Sequence, residues 1–207
     1  MNSPLPLQVK ELARSRHIIV AGLSGGVILS PDDELRHITQ AQAAKTLTSI
    51  SSPILCHSPS VARRLGLSAF SALDVLELFA FTRPSEFCLP TPGGIATALN
   101  LAVPQTLEEQ ALSLRSVIEV LLCELKGFDL PDEPDVLPIA QRMLDGGWGW
   151  GQIVTECLEH LVKTKDTKQP HGGLDVWMRL HTWAEFAPEP PPESLGVSDS
   201  ETRNRLA

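Results

Sequence analysis

The sequence predicts an α/β first half, a mostly α-helical second half and a disordered C-terminal linker. Three observations carry that reading. Two aliphatic, β-branched runs flank a glycine cluster between His17 and Leu29. From Ile95 to about Phe186 the pattern is helical throughout, with apolar residues at three- and four-residue steps from Leu107 to Leu125. From Ala187 to Gly196 the chain is proline-rich and unable to pack a core.

Taken in order, Ile18, Ile19 and Val20 read as one strand of a β-hairpin, Gly25-Gly26 as its turn and Val27, Ile28 and Leu29 as the return, closed by Pro31 with Asp32 and Asp33. The alanine-rich stretch from Thr39 to Ile50 suits a helix, which Ser51-Ser52-Pro53 breaks. A short strand, Ile54-Leu55-Cys56, follows. Two helical stretches come next, one around Val61 to Leu65 ending at Gly66, and one from Leu73 to Phe81. The second is apolar on nearly every side, the pattern of a buried helix. Pro84, Pro90, Pro92 and Gly93-Gly94 mark a turn-rich connection into a short helix, Ile95 to Leu99.

In the second half, Thr106-Leu107-Glu108-Glu109 is a capping box ahead of Leu107, Ala111, Leu114, Ile118, Leu121 and Leu125, with Gly127 past the end. Asp135 can cap a second helix through Ile139, Met143 and Leu144, stopped by Gly146-Gly147. Ile153, Val154, Cys157, Leu158 and Leu161 mark a third; Val176, Trp177, Leu180 and Trp183 a last. After the proline-rich spacer, Ser198-Asp199-Ser200-Glu201 is another capping box, opening a helix that Ala207 leaves at barely two turns. Isolated helices under about 12 residues are marginal, so the chain is expected to be the front piece of a longer polypeptide. The expected organisation is 1–102 α/β, 103–186 helical, and 187–207 linker with the start of a further domain.

With 207 residues, 43% hydrophobic and 20% charged, the chain has room for a real core, and wholesale disorder is excluded. Seventeen basic against 25 acidic residues give a net charge of −8, which excludes a generally basic nucleic-acid-binding surface but leaves room for a local basic patch. Cys56, Cys88, Cys123 and Cys157 lie far apart, without CxxC or zinc-finger spacing, and read as reduced thiols. The opening Met-Asn-Ser-Pro-Leu-Pro has neither a basic n-region nor an apolar h-region, and no apolar run approaches the ~20 residues of a membrane span. A cytoplasmic location is expected, without membrane partners.

Gly22-Leu23-Ser24-Gly25-Gly26 satisfies the G-x-S-x-G pattern of a hydrolase nucleophile elbow. The elbow needs a strand-to-helix turn, whereas Val27-Ile28-Leu29 and then Pro31 give a strand and a breaker, so the motif reads as a hairpin turn. No Gly-Lys-Ser/Thr loop occurs to cradle a phosphate. Asp129, Asp132, Glu133 and Asp135 crowd a loop without EF-hand spacing and read as solvated. Trp148 and Trp150, in Gly-Gly-Trp-Gly-Trp-Gly, read as helix-packing residues, because no basic residues accompany them as in a base-stacking platform. His57 follows a strand without a second histidine nearby and reads as a structural or surface residue. Arg63-Arg64, with Arg83 further on, is the notable positive cluster of the first half; solvated charge is its default reading, and phosphate contact the functional one.

The segment from Leu73 to Leu99, with Leu73-Asp74-Val75-Leu76-Glu77-Leu78 and Cys88-Leu89-Pro90-Thr91-Pro92-Gly93-Gly94, resembles the N-terminal region of bacterial, alphaproteobacterial-type DinG/XPD-like ATP-dependent DNA helicases. The likeness is specific over about Pro53 to Leu101, with His57, Asp74, Glu77, Pro90, Pro92 and Gly94 among its residues, and weaker beyond. Underneath lies a more distant similarity in element order to a DnaQ-like 3′ to 5′ exonuclease, an RNase H-like fold. That chemistry needs carboxylates to hold two metal ions about 4 Å apart. The first pair of acids would fall where this chain has Ala21, Gly22, Leu23 and Ser24. The second motif is matched only by His57, with Ser58 and Ala62 in place of its asparagine and acid, and the third would need a histidine and an aspartate that the helix from Thr106 to Leu125 lacks.

The resemblance therefore implies a small, degenerate RNase H-like sheet with no catalytic or metal residues, acting as a non-catalytic accessory region in DNA unwinding or repair. It implies a helicase motor in cis, carrying ATP, Mg and an iron-sulfur cluster, while this chain has none of those motifs. DNA and a repair or replication protein are the other partners it implies. A free-standing protein-interaction module is the alternative from another class.

Overall fold

The computed structural model describes residues 7–68, 70–84, 86–125 and 136–162. Three antiparallel strands open the chain after helix α1 (Leu7–Arg14): β1 (Ile18–Ala21), β2 (Gly25–Leu29) and β3 (Leu35–Thr39). Then follow α2 (Gln40–Ser49), β4 (Ile54–Leu55), α3 (Ser58–Leu65), β5 (Leu73–Asp74), α4 (Val75–Thr82), α5 (Pro92–Ala98), α6 (Leu107–Glu124), α7 (Val136–Asp145) and α8 (Gly151–Val162). The five strands form one mixed sheet in the order β3-β2-β1-β4-β5, with β4 parallel to β1 and β5 parallel to β4. Register is set by Ile19 opposite Ile28 and Val20 opposite Val27, and across the parallel side by Ile18 opposite Ile54 and Leu55 opposite Asp74.

Strand side chains alternate between faces, and here both faces are buried. Ile18, Val20, Val27, Leu29, Ile54 and Leu73 join a large core with α4, α5, α6, α7 and α8, whereas Ile19, Ala21, Ile28 and Leu55 meet Leu47 of α2 and Val61 of α3. Burying each such aliphatic side chain is worth about 2 kcal/mol. The larger core runs without a break from Val9 to Leu158, and α6 lies across β1 and β2 as well as α4 and α5.

The expected hairpin is present with its turn displaced. Gly22, Leu23 and Ser24 make the turn, and Gly25-Gly26 belong to β2. Their place is dictated by close approach: a Cβ on Gly26 would stand 2.5 Å from the Val20 carbonyl oxygen, and one on Gly25 2.7 Å from that of Ile38. G-x-S-x-G is thus a connection between antiparallel strands, not an elbow. Helix α1 and strand β3 stand where the sequence predicts no element, and the helix predicted from Leu73 is preceded by β5, the helix proper starting at Val75 behind its cap Asp74. The short helix starts at Pro92 rather than Ile95, with Thr91 as cap. The capping box at Thr106 is present, with α6 at 107–124. The acidic loop 129–135, the last predicted helix and the linker lie outside the described residues. Among the described residues no helix is long and apolar enough to cross a membrane.

Candidate functional site

A cleft of about 770 Å³ opens at the C-terminal ends of β1 and β4. Ala21, Gly22 and Leu23 form its floor, α3 one wall, and the loop into α5 together with α6 the other. Parallel β4 and the first turn of α3 meet here because β1 and β4 run side by side, which brings the end of each strand to the same margin of the sheet.

His57, Ser60 and Arg64 sit at i, i+3 and i+7 and so share one face of α3, and all three line the cleft. His57 precedes the helix in the left-handed region, φ 61° and ψ 70°. Its Nδ1 is 2.7 Å from Ser60 Oγ. Arg64 Nη1 donates to the Ala21 carbonyl at 2.7 Å, fixing the guanidinium at the end of β1. Arg63 is on the exposed flank of α3 and forms no ion pair with the described residues.

The unusual backbone at His57 is held from below by Asp74. This buried carboxylate accepts from the main-chain N–H of His57 at 2.9 Å, of Ser58 at 2.6 Å and of Leu76 at 3.1 Å, so one side chain caps both α3 and α4. Trp150, fully buried, donates its indole N–H to the Asp74 carbonyl at 2.7 Å. Asp74 is not exposed in the cleft. Cys56 is, but burial first, then the charge of Asp74 and the neighbouring Cys88, push its thiol far above the ordinary range and leave it a neutral thiol rather than a nucleophile.

Of the other residues singled out in the sequence, Pro90 and Pro92 line the cleft opposite α3. Gly94 stands behind them, where a Cβ would meet the Leu89 carbonyl oxygen at 2.4 Å, and its N–H donates to the Thr91 hydroxyl that caps α5. Arg83 is committed elsewhere: Nε and Nη2 donate to the Glu124 carboxylate at 2.8 and 2.6 Å, and Nη1 to Glu86 at 2.7 Å. It ties the end of α4 to α6 rather than facing the cleft. Glu77 points into a different hollow. The structure adds Ser60, Gln110 and Leu107 to the cleft; Ser60 follows from helical spacing after His57, whereas nothing in the sequence relates Gln110 on α6 to α3.

Among the described residues no carboxylate lines the cleft, and its charged or titratable side chains are Cys56, His57 and Arg64. Among the described residues there is no group of three His, Cys, Asp or Glu that could hold a metal ion. The arrangement can offer a phosphate one fixed guanidinium and a hydroxyl–imidazole pair, and offer a sugar or base the apolar wall of Leu107 and Leu114. Ser60 and His57 lack the third group that a nucleophile–base pair uses for orientation, since no described residue bonds His57 Nε2. Comparisons with protein-family models, with curated proteins and with solved structures give no match.

Proposed function

We propose that this chain is the non-catalytic N-terminal accessory region of an ATP-dependent DNA helicase of the DinG/XPD-like type, built on a degenerate RNase H-like sheet that helps guide a DNA strand. Three antiparallel strands followed by two parallel ones on the far side of β1, with helices between, support the RNase H-like reading. The observation that carries the function is the cleft at the end of β1. Where a two-metal nuclease would place acids, Arg64 is anchored on the Ala21 carbonyl, and among the described residues no acid lines the cleft. Such a site holds a phosphodiester without cleaving it. ATP hydrolysis belongs to a motor in cis, with its magnesium and iron-sulfur cluster.

One or two phosphate contacts give weak, salt-dependent binding, with a slope of about −0.7 per contact for single strands. Fluorescence anisotropy of a labelled single-stranded oligonucleotide, titrated with the 207-residue chain over a salt series, tests this. The expected result is micromolar or weaker binding, insensitive to EDTA, reduced about tenfold by Arg63→Ala with Arg64→Gln. Binding that survives the double substitution, or strand digestion with manganese, would overturn the proposal.

A protein-interaction module remains the second reading, favoured by apolar exposure around the same cleft. Leu23 is 92% exposed, and Leu89 and Val103, at 59% and 49%, each adjoin a proline of its lining. Binding of a protein by a chain without DNA affinity would favour it.

A further inference from the structure

A second hollow, of about 490 Å³, lies on the other side of the first turn of α3, between the loop into β5 and the turn joining α7 to α8. Phe70, Glu77, Met143, Gly147 and Trp148 line it. The glycine-tryptophan motif builds this wall. Gly147, at φ 88°, takes the left-handed position that ends α7, its N–H bonding the Leu144 carbonyl at 2.9 Å, and the Trp148 N–H bonds that of Met143 at 2.9 Å. A Cβ on Gly147 would meet nothing within 4 Å, so the space above it is open. Trp148 is half-buried and rests on the buried Phe81 ring at 4.8 Å between centroids. Trp150, two residues on, is in the core, so the two tryptophans have separate roles.

Two features of this hollow favour a cation. Among the described residues, Glu77 is the charged residue of the lining, and it forms no salt bridge. Aromatic rings from Trp148 and Phe70 flank it, and indole is the strongest of the cation-binding faces. One carboxylate is too few for a dedicated divalent metal site, and among the described residues no basic side chain joins the lining, which disfavours a nucleic acid. A planar guanidinium satisfies carboxylate and aromatic ring together, which an ammonium does less well.

We propose that this hollow is a binding site for an arginine side chain presented by a protein partner, its guanidinium paired with the Glu77 carboxylate and laid against Trp148. The site is separate from the cleft of His57 and Arg64 and does not rest on the helicase reading. Partial burial and the nearby charge of Asp74 raise the Glu77 pKa, against an opposing hydrogen bond from the Trp148 indole, which holds the carboxylate beside the ring.

Calorimetric titration of the whole chain with the blocked peptide Gly-Gly-Arg-Gly-Gly tests the proposal, with the lysine and citrulline peptides as comparisons. The expected result is saturable binding at millimolar or lower peptide, weaker for lysine and lost for citrulline, which keeps the shape and removes the charge. Glu77→Gln, on an exposed side chain that leaves the core intact, is expected to weaken the arginine peptide about tenfold, and Trp148→Leu, checked for folding by circular dichroism, to weaken it as well. No binding up to 10 mM on the order of a weak single-contact limit, equal binding of the citrulline peptide, or an unchanged affinity in Glu77→Gln would each overturn it. Oligonucleotide binding measured on the same Glu77→Gln protein is expected to be unchanged, so failure here is distinguishable from failure of the DNA reading.

Discussion

Asp74 shows how much one side chain can organise. Its two carboxylate oxygens take three main-chain N–H groups from two helices, and its own carbonyl takes an indole N–H. The sequence displays the residue but not the role, because His57 is 17 positions away and no local pattern relates them. Glu77, three residues on, feels that charge. Its folded pKa is raised above the ordinary 4.5, burial first and Asp74 second. A raised carboxyl pKa disfavours the folded state above it: the penalty is absent below the unfolded value and complete once pH exceeds the folded one. Glu77→Gln is therefore expected to raise the melting temperature at pH 7 and not at pH 4. The rise should stay within about 2 °C, because a side chain this exposed is screened by solvent. Thermal denaturation at the two pH values checks it; a gain at pH 4 alone would reverse the sign.

Among the elements, legibility followed the strength of the local signal. The helix α6 announces itself through a capping box and a long apolar period, and both are where the sequence puts them. The strand β3 does not, because it is an edge strand whose residues are mostly exposed and carry no apolar alternation. Paired glycines usually mean a turn, yet Gly25-Gly26 are glycines because neighbouring backbones press on them, a constraint from strands on both sides that no local reading contains. Gly26→Ala is accordingly expected to cost about 2 kcal/mol or more, as overpacking against rigid backbone does, and to speed amide exchange in β1 and β2. Urea denaturation with exchange measurements would test it, and a near-neutral result would mean the sheet opens there at little cost. The cleft was legible in part for the same reason: His57, Arg64, Pro90 and Pro92 stand out locally, but their meeting depends on β4 lying parallel to β1.

On the scale of the whole molecule, the cores bear on cooperativity. Trp150 reaches Asp74 across 76 positions, and Cys157 packs on α6 through a contact to the Leu122 carbonyl at 3.5 Å. Residues before and after position 102 share one apolar cluster. Far-ultraviolet circular dichroism and tryptophan emission are therefore expected to report one coincident urea transition across 7–162. Two separated transitions would show that the strand-rich and helical parts unfold independently.

The strand order has a colloidal consequence. In a five-stranded open sheet the two outermost strands offer unpaired backbone to any other extended chain, here β3 and β5. The strand β5 is two residues long, too short a template. The strand β3 is longer, but it carries Arg36 and His37, with Glu34 just before it and His37 paired to Glu108 at 2.8 Å. Among the described residues, charge at that margin and brevity at the other discourage one molecule from extending its sheet into the next.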